Sequence, residues 1–281
     1  MEKRTLGNTG MKVSILGFGG AEIGFEQASE ASVNSLLNEA IDEGLNVIDT
    51  AECYMNSEAL IGRAISGRRN DFYLFTKCGH GIDPTIPAWT ASEIEKSIER
   101  SLNRLNTDYV DLIQLHSCEK KILEQGDVIE VLKKAKEQGK TRFIGYSGDG
   151  QDALYAIKTG EFDTLQTSVN IADQECIELT IPEAQKRGMG VIAKRPIANV
   201  AWRYTERPEN FYHEPYWERL QKLNYGFLNG SIDSAVATAL KFTLSVPGVH
   251  TAIVGTKQPG RWKQNAQLIN EGLLSTGQYE R

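Results

Sequence analysis

Four side chains whose types suit proton chemistry follow short apolar runs in the first half of the chain. They are an acid, a phenol, an ammonium group and an imidazole, at Asp49, Tyr54, Lys77 and His116. The runs are predicted to be β-strands, because in each the apolar residues continue up to an ionisable residue and then stop. The predicted strands cover residues 47–49, 73–77 and 110–116. In a parallel barrel the carboxyl ends of the strands meet at one mouth, so we expect the four groups to converge there.

The chemistry that such a quartet offers is the protonation of a developing alkoxide. A tyrosine has an ordinary pKa of about 10, and a neighbouring ammonium lowers that pKa because it stabilises the phenolate. Lys77 is predicted to do this for Tyr54, and Asp49 is predicted to keep the lysine charged and fixed. An imidazole at His116 could orient or polarise a carbonyl oxygen.

These residues and further motifs at both ends of the chain resemble the aldo-keto reductases, including their bacterial members. The segments that carry the resemblance are Asp49-Thr50-Ala51-Glu52-Cys53-Tyr54 followed by Lys77 and His116, Leu16-Gly17-Phe18-Gly19-Gly20, and Gly255-Thr256-Lys257 with Arg261 and Asn265. They extend over nearly the whole sequence. The resemblance implies a TIM barrel that transfers hydride from NADPH to an aldehyde or ketone, with Tyr54 as the general acid. It also implies the reverse reaction, oxidation of an alcohol.

The length and charge of the chain restrict its class. With 281 residues it has the size of one barrel, so we predict a single domain over residues 1–281. The net charge is -6, from 31 basic and 37 acidic residues. Because a surface that neutralises nucleic-acid phosphates needs an excess of Lys and Arg, we predict no nucleic-acid partner. No partner protein is indicated.

A cytoplasmic protein is expected, because neither a targeting signal nor the cysteine spacing of an oxidised protein is found in the sequence. The polar residues that follow Met1 do not resemble a signal peptide, and no window approaches the roughly 20 apolar residues of a membrane span. The four cysteines have no CxxC spacing, so reduced thiols are expected.

Strand-like and helical patterns alternate along the chain. Strands are predicted to begin near Val13, Val47, Tyr73, Val110, Arg142, Thr164, Val191 and Thr251. Eight such units form either a closed (β/α)8 TIM barrel or an open doubly wound sheet. A dinucleotide-binding open sheet would carry GxGxxG after its first strand, but Glu22 stands at the third glycine position. The barrel is therefore favoured.

The barrel is predicted to carry two additions. Turn signals at Gly7-Asn8 and Gly10 indicate a short N-terminal β-hairpin. The connection after strand 7, residues 196–250, is much longer than the others and is predicted to contain an inserted helix over Glu214–Asn224 and the barrel helix over Ser231–Leu244.

Two earlier helices have clear start signals. A helical period between Ser29 and Gly44 is opened by a capping serine and closed by glycine. Thr90 and Glu93 form a capping box ahead of a second helix, whose predicted buried face is Ile94, Ile98, Leu102 and Leu105.

The resemblance assigns residues to the nicotinamide end of a bound NADP(H). Ser147 at the end of the fifth strand and Gln166 in the sixth are assigned to the carboxamide, which needs a donor and an acceptor. The family often has asparagine directly after that serine, where this chain has Gly148. Asn170 either takes over the missing contact or shapes a turn.

Two further segments are assigned to the cofactor. Many relatives place an aromatic residue two positions before the proline that follows strand 7, where it stacks on the nicotinamide; this chain has Lys194, then Arg195 and Pro196. Either cationic side chain could pack on a ring. Gly19 and Gly20 end the first strand, where close approach of backbone to a ligand requires glycine; the alternative is that they are glycines required by packing.

The segment after the last strand is the predicted phosphate site. Gly255 to Arg261 leads into a helix start, where free backbone N–H groups favour phosphate. The resemblance places Arg261 on the 2′-phosphate with Thr256 and Lys257 nearby, and Gln264 and Asn265 on the adenine side. This arrangement favours NADPH over NADH. The alternative is a solvated helix start with incidental basic residues.

Other reaction classes have weaker support. Because HExxH, paired CxxC, GxSxG and P-loop motifs are missing, we predict no metal, no acyl-enzyme and no nucleotide triphosphatase. Two alternatives remain: a regulatory subunit of the same fold that binds nicotinamide and reacts slowly, and a lyase or isomerase with Lys77 as Schiff-base nucleophile. If the chain is an aldo-keto reductase, as the resemblance implies, its expected partner is a small carbonyl or alcohol substrate.

Three cysteines flank the predicted catalytic groups. Cys53, Cys78 and Cys118 lie within two residues of Tyr54, Lys77 and His116 respectively. A neighbouring cation would lower a thiol pKa, which makes Cys53 and Cys118 candidates for reactive thiols. Cys78 is expected to face away from Lys77, because adjacent strand residues point to opposite faces.

Overall fold

Eight parallel strands close into a barrel. The structure is a computed structural model that describes residues 1–82, 85–270 and 272–279. The strands are β1 (Lys3–Thr5), β2 (Lys12–Ser14), β3 (Leu16–Gly19), β4 (Val47–Asp49), β5 (Tyr73–Cys78), β6 (Val110–His116), β7 (Thr141–Ser147), β8 (Thr164–Ser168), β9 (Gly190–Lys194) and β10 (Thr251–Gly255). The barrel runs from β3 to β10 in sequence order, and β10 pairs with β3 to close it. The predicted (β/α)8 barrel is confirmed.

The first predicted strand is two strands in the structure. Val13 belongs to β2, which pairs antiparallel with β1 in the predicted N-terminal hairpin, whereas the first barrel strand begins only at Leu16. The chain leaves the hairpin at Ile15, whose N–H donates to Glu2 O (3.0 Å) and whose carbonyl accepts from Ala252 N (2.9 Å). One strand-like stretch of sequence thus contains two strands with different partners.

Helices surround the barrel. They are α1 (Ala21–Phe25), α2 (Glu30–Asp42), α3 (Ser57–Ile65), α4 (Ala91–Leu105), α5 (Lys120–Leu123), α6 (Asp127–Glu137), α7 (Gly150–Thr159), α8 (Glu175–Leu179), α9 (Ile181–Lys186), α10 (Glu214–Leu223), α11 (Ile232–Ser245), α12 (Arg261–Ile269) and α13 (Thr276–Tyr279). Short 3-10 turns lie at Gly7–Thr9, Ser66–Asp71, Ala198–Arg203 and Gly226–Asn229. Within the described residues, no helix is long and apolar enough to cross a membrane.

The predicted helix starts are largely confirmed. Ser29 caps α2 by accepting from Ser32 N (3.2 Å), and Thr90 caps α4 by accepting from Glu93 N (3.3 Å). The capping box at α4 is only half formed, because the Glu93 carboxylate is turned away to the guanidinium of Arg100. The two helices predicted in the long connection are α10 and α11, each within one residue of its expected bounds.

The barrel interior is apolar at one end and polar at the other. Apolar side chains from the hairpin and the strand starts fill one end: Leu6, Met11, Val13, Val47, Phe75, Leu112, Ile192 and Ile253. Four of these strands carry a polar residue two positions further along. These residues lie on the same face, because strand side chains alternate, and they are Asp49, Lys77, Gln114 and Lys194. The carboxyl end of the barrel therefore carries a buried polar layer above an apolar floor.

Candidate active site

Lys77 and Asp49 form a buried ion pair at the centre of the polar layer. Each side chain is 1% exposed, and the Lys77 Nζ bonds Asp49 Oδ1 and donates to Thr50 O at 2.8 Å. Burial alone would lower the pKa of Lys77, but the charge and hydrogen bond of Asp49, together with Tyr54 and Cys53, more than offset burial and raise that pKa above its ordinary value. The lysine is therefore a fixed ammonium, as the sequence predicts.

The second oxygen of Asp49 is held by two glutamines. Gln114 Nε2 donates to Oδ2 at 3.1 Å and Gln166 Nε2 donates to it at 2.9 Å, while Ser147 Oγ lies 3.2 Å from Gln166 Oε1. The residues assigned to the carboxamide thus also belong to the network that orients Asp49. Gln114 was not identified from the sequence, although its position two residues after Leu112 places it on the inner face.

Tyr54 lies on the loop after β4, beside this ion pair. Lys77 Nζ is 5.0 Å from the centre of the phenol ring, and the ring meets the His116 imidazole edge-on at 5.8 Å. Gly24 of α1 contributes to the placement of the loop, since a Cβ there would lie 2.0 Å from Tyr54 O. The structure therefore brings the four predicted groups together at the barrel mouth.

The prediction that Lys77 lowers the pKa of Tyr54 below its ordinary value is wrong. Burial raises it to about 12, and the opposing effect of the Lys77 ammonium is smaller and is partly cancelled by Asp49. The phenol is therefore protonated near neutral pH. An O–H that stays protonated until it is needed is suited to donate to a developing negative charge.

His116 ends β6 with a neutral imidazole. Its pKa lies well below the ordinary value because burial disfavours the charged ring, and the Lys77 ammonium adds to this effect. The ring is 4.5 Å from that of His80, and Trp89 Nε1 donates to the His116 carbonyl at 3.1 Å. A neutral imidazole keeps one ring N–H, which can donate a hydrogen bond to a carbonyl oxygen and so orient it.

The expectation of low thiol pKa values is contradicted. Burial raises the pKa of Cys53 to about 11 despite Lys77, and raises the pKa of Cys118 to about 12. All four cysteines are free thiols in the structure. Cys78 packs in the apolar layer between barrel and helices, on the side away from Lys77, as expected.

Lys194 is not a free side chain. Its Nζ bonds Asp149 Oδ2 at 2.9 Å, and Asp149 Oδ1 accepts from Ser168 N (2.7 Å) and Thr167 Oγ1 (2.9 Å). Burial raises the pKa of Asp149, but the Lys194 ammonium and these hydrogen bonds more than offset it and lower the pKa to about 2. Asp149, unrecognised in the sequence, anchors the lysine that stands at the usual aromatic position.

The other residues predicted near Lys194 each make different contacts with the protein. Arg195 has a positive φ of 54° and lies over the Tyr212 ring at 5.3 Å. The carbonyl of Arg195 accepts from Asn170 Nδ2 (3.0 Å), and that of Pro196 accepts from Thr243 Oγ1 (3.0 Å). Asn170 also accepts from Ala172 N (2.8 Å), so it shapes a turn.

A steric reason explains Gly148. A Cβ at this position would lie 2.6 Å from the Tyr146 ring, and that ring is fixed because its hydroxyl donates to Cys118 O at 2.6 Å. The asparagine that the family often has after the serine would therefore collide with Tyr146.

The glycines at the first strand end differ from each other. Gly20 is required by the fold itself: its N–H donates to Asp49 O at 2.7 Å, and a Cβ would lie 2.8 Å from Ser57 Oγ. Gly19 is partly exposed, and a Cβ added there would make ordinary van der Waals contact, with Gly255 N the nearest atom at 3.6 Å, so packing does not require glycine at this position. It stands beside Gly255 in the barrel register.

The basic side chains of the predicted phosphate site form ion pairs with acidic side chains. Lys257 pairs with Glu26 at 2.8 Å and Arg261 pairs with Asp233 at 3.4 Å. At the start of α12, Gly260 N donates to Glu39 Oε2 at 2.8 Å. Of the remaining predicted residues, Thr256 Oγ1 accepts from Gln258 N (3.1 Å), Gln264 is exposed and Asn265 is buried.

Comparison with known proteins assigns the family. Residues 15–281 match the model of the Aldo/keto reductase family. The chain is 30% identical to L-galactose dehydrogenase of Arabidopsis thaliana, over 96% of this chain and 89% of that protein. It is 29% identical to the uncharacterized oxidoreductase YqkF of Bacillus subtilis, over 98% and 93%.

A solved structure agrees with this assignment. The holo form of the aldo-keto reductase AKR11C1 from Bacillus halodurans superimposes with a TM-score of 0.84 at 26% identity, and the match covers 100% of this chain and 94% of that one. The chain therefore belongs to the aldo/keto reductase family, a family of oxidoreductases.

Proposed function

We propose that this protein transfers hydride from NADPH to the carbonyl carbon of an aldehyde or ketone while Tyr54 protonates the oxygen. The observation that carries the proposal is the convergence of the Lys77–Asp49 ion pair, the Tyr54 phenol and the neutral His116 at the barrel mouth. Bound nicotinamide would supply the hydride. In the reverse direction, the phenolate of Tyr54 accepts the proton of an alcohol.

The residues present fit a dinucleotide. Gly19 is partly exposed at the end of β3, where a ligand can approach the backbone, and the Ser147 and Gln166 polar groups lie in the same layer as Asp49. Lys257 and Arg261 are each more than 40% exposed in their pairs with Glu26 and Asp233. Because exposed ion pairs contribute only about 0–1 kcal/mol, both cations can exchange a carboxylate for a phosphate at small cost.

Each member of the site has one part in the proposed reaction. Tyr54 moves a proton to the substrate oxygen, and His116 orients that oxygen through a ring nitrogen. Lys77 stabilises the phenolate that remains after proton transfer, because its ammonium lies 5.0 Å from the ring. Asp49, Gln114 and Gln166 keep Lys77 in place.

The state of Lys77 argues against Schiff-base chemistry. A nucleophilic lysine must lose its proton, whereas Lys77 is paired with Asp49 and donates to Thr50 O. The regulatory alternative keeps the same residues, so it differs in rate alone: a regulatory subunit would oxidise bound NADPH once and slowly, and an enzyme would turn over repeatedly.

Isotope transfer tests the proposed reaction directly. Purified protein is incubated with NADPH deuterated at the transferable position and a panel of aldehydes and ketones, and the alcohols are analysed by mass spectrometry. We expect deuterium on the former carbonyl carbon and repeated turnover. Because the similar Arabidopsis protein is named for a sugar dehydrogenase activity, aldoses with NADP+ form the reverse panel. Products without deuterium, or a single slow turnover with every substrate, would contradict the proposal.

The proposed 2′-phosphate contact can be tested at Arg261. Arg261→Ala is expected to weaken NADPH binding by about 1.5–3 kcal/mol more than NADH binding, because a charge-assisted contact to the phosphate is lost. Fluorescence titration with both cofactors measures the difference. Lys263→Ala is the matched control, since Lys263 lies on the same helix but pairs with Glu43. Equal losses for the two cofactors in Arg261→Ala would place the phosphate elsewhere.

A further inference from the structure

A thiol and two imidazoles cluster beside the proposed catalytic tyrosine. The ligand atoms of Cys53, His80 and His116 all lie within 4.8 Å of one another, and Cys53 Sγ is 3.5 Å from His116 Nδ1. The three residues follow β4, follow β5 and end β6, so they are contiguous in the barrel but distant in the sequence. The prediction of no metal rested on short spacing motifs, which this set does not form.

The separation of Cys53 Sγ and His116 Nδ1 is that of two ligands on one tetrahedral ion. Zinc–sulfur bonds of about 2.3 Å and zinc–nitrogen bonds of about 2.0–2.1 Å at a tetrahedral angle place sulfur and nitrogen roughly 3.6 Å apart. The observed separation of Sγ and Nδ1 is 3.5 Å. The His80 and His116 rings lie 4.5 Å apart at an interplanar angle of 89°, so the two rings do not stack on each other.

Neighbouring contacts hold the three residues in place. His80 packs between His116 and Trp89, whose ring is 4.9 Å away. Trp89 is in turn fixed by its backbone N–H to Gly79 O (2.8 Å) and its indole N–H to His116 O (3.1 Å). Glu52, next to Cys53, is anchored through its carbonyl by Arg104 (3.2 Å). Ligands that are positioned before the ion arrives lose less conformational freedom on binding.

We propose that Cys53, His80 and His116 form a three-ligand binding site for a zinc-class divalent ion at the mouth of the barrel. A thiolate and two imidazoles are ligands that zinc and cobalt prefer, and three protein ligands leave a fourth position for water. Binding forms a metal–sulfur bond and releases the Cys53 thiol proton to solvent. No electron transfer is involved.

Occupancy of this site has a consequence for the proposed reaction. The ion takes a ring nitrogen of His116, the residue proposed to orient the carbonyl oxygen, and it lies next to Tyr54. A bound ion with its water occupies space at the barrel mouth beside Tyr54 and fixes the His116 ring through Nδ1. Zinc is therefore expected to be a reversible inhibitor that competes with the carbonyl for this space. This second step rests on the proposed function, whereas binding of the ion does not.

Cobalt spectroscopy tests the site without reference to turnover. Chelator-treated protein is titrated with Co2+ in a thiol-free buffer, and the thiolate-to-cobalt charge-transfer band and the tetrahedral d–d bands are recorded. We expect one equivalent to saturate both. Cys53→Ser should abolish the charge-transfer band, and His80→Gln should weaken binding at least about tenfold, the lower range for loss of a group that supports a metal site. Cys176→Ser and His213→Gln are the matched controls and should bind as the unaltered protein does.

Two outcomes would overturn the site: no charge-transfer band in the unaltered protein, or the same band in Cys53→Ser. Should Cys53→Ser fail to fold, alkylation of the unaltered protein replaces it. Zn2+ must then protect Cys53 but not Cys176 from iodoacetamide, as read by peptide mapping, and equal labelling would contradict the proposal. If the cobalt bands appear but zinc does not compete with the carbonyl, the inhibitory step is wrong. If no carbonyl is reduced even without metal, the proposed function fails while the metal site stands.

Discussion

The Tyr54→Phe variant is expected to turn over at least about a hundredfold more slowly than the unaltered enzyme, while its affinity for NADPH changes little. The substitution removes one hydroxyl and keeps the ring that packs beside Lys77 and against His116. General acid catalysis contributes about 10²–10⁴-fold, and the loss should appear when hydride transfer is measured in a single turnover. Cofactor affinity is measured by fluorescence titration.

A control separates the catalytic hydroxyl from a general effect of removing a phenol. Tyr155→Phe alters a tyrosine on α7 whose ring contacts Lys120 on the outside of the barrel, and it should leave turnover unchanged. The assignment of Tyr54 is wrong if Tyr54→Phe retains the full single-turnover rate. A parallel loss of NADPH affinity would instead indicate that the loop after β4 had been displaced.

The fold could be read from the sequence because its information is local. Alternating strand and helix patterns and the serine and threonine caps located the elements, the position of Glu22 in place of a third glycine favoured the closed barrel over an open sheet, and the resemblance to the aldo-keto reductases implied the barrel. The division between β2 and β3 was not predictable, since Ile15 lies within one strand-like stretch and only its hydrogen bonds to Glu2 and Ala252 show the change of partner.

The proposed catalytic groups were also predictable, because strand ends in a parallel barrel converge. The groups around them were not. Gln114 and Asp149 have no motif, and their importance lies in contacts with Asp49 and Lys194 from other strands. His80 is an ordinary loop residue in the sequence, and only the fold brings it to Cys53 and His116.

The pKa values were the least predictable property. The sequence places a cation next to Tyr54 and Cys53, from which a lowered pKa follows by Coulomb attraction. Burial has the opposite sign and is larger at both groups, so both pKa values rise. The balance depends on how much of each side chain the folded structure removes from water, which the order of residues does not give.

Lys77→Met is expected to destabilise the protein by about 3–5 kcal/mol and to abolish measurable turnover. Removal of the ammonium leaves the Asp49 carboxylate buried, with the amides of Gln114 and Gln166 as its remaining donors. Breaking a buried ion pair by removing one partner has this cost because the other charge stays out of water uncompensated. Urea unfolding measures the change in the free energy of unfolding from the shift of the transition midpoint. This requires that the dependence of that free energy on urea concentration is the same in both proteins.

The double variant Asp49→Asn with Lys77→Met provides the decisive comparison. With both charges of this pair removed, it should be more stable than Lys77→Met alone, although it carries one more substitution. Lys136→Met is the control for loss of a lysine from an exposed pair, since Lys136 bonds Asp163 at 2.9 Å on the surface, and it should cost about 1 kcal/mol or less. If the double variant is instead destabilised, relative to the unaltered protein, by the sum of the losses in Asp49→Asn and in Lys77→Met, the two charges do not act as a pair. Asp49 would then not hold Lys77 in the way that the proposed mechanism requires.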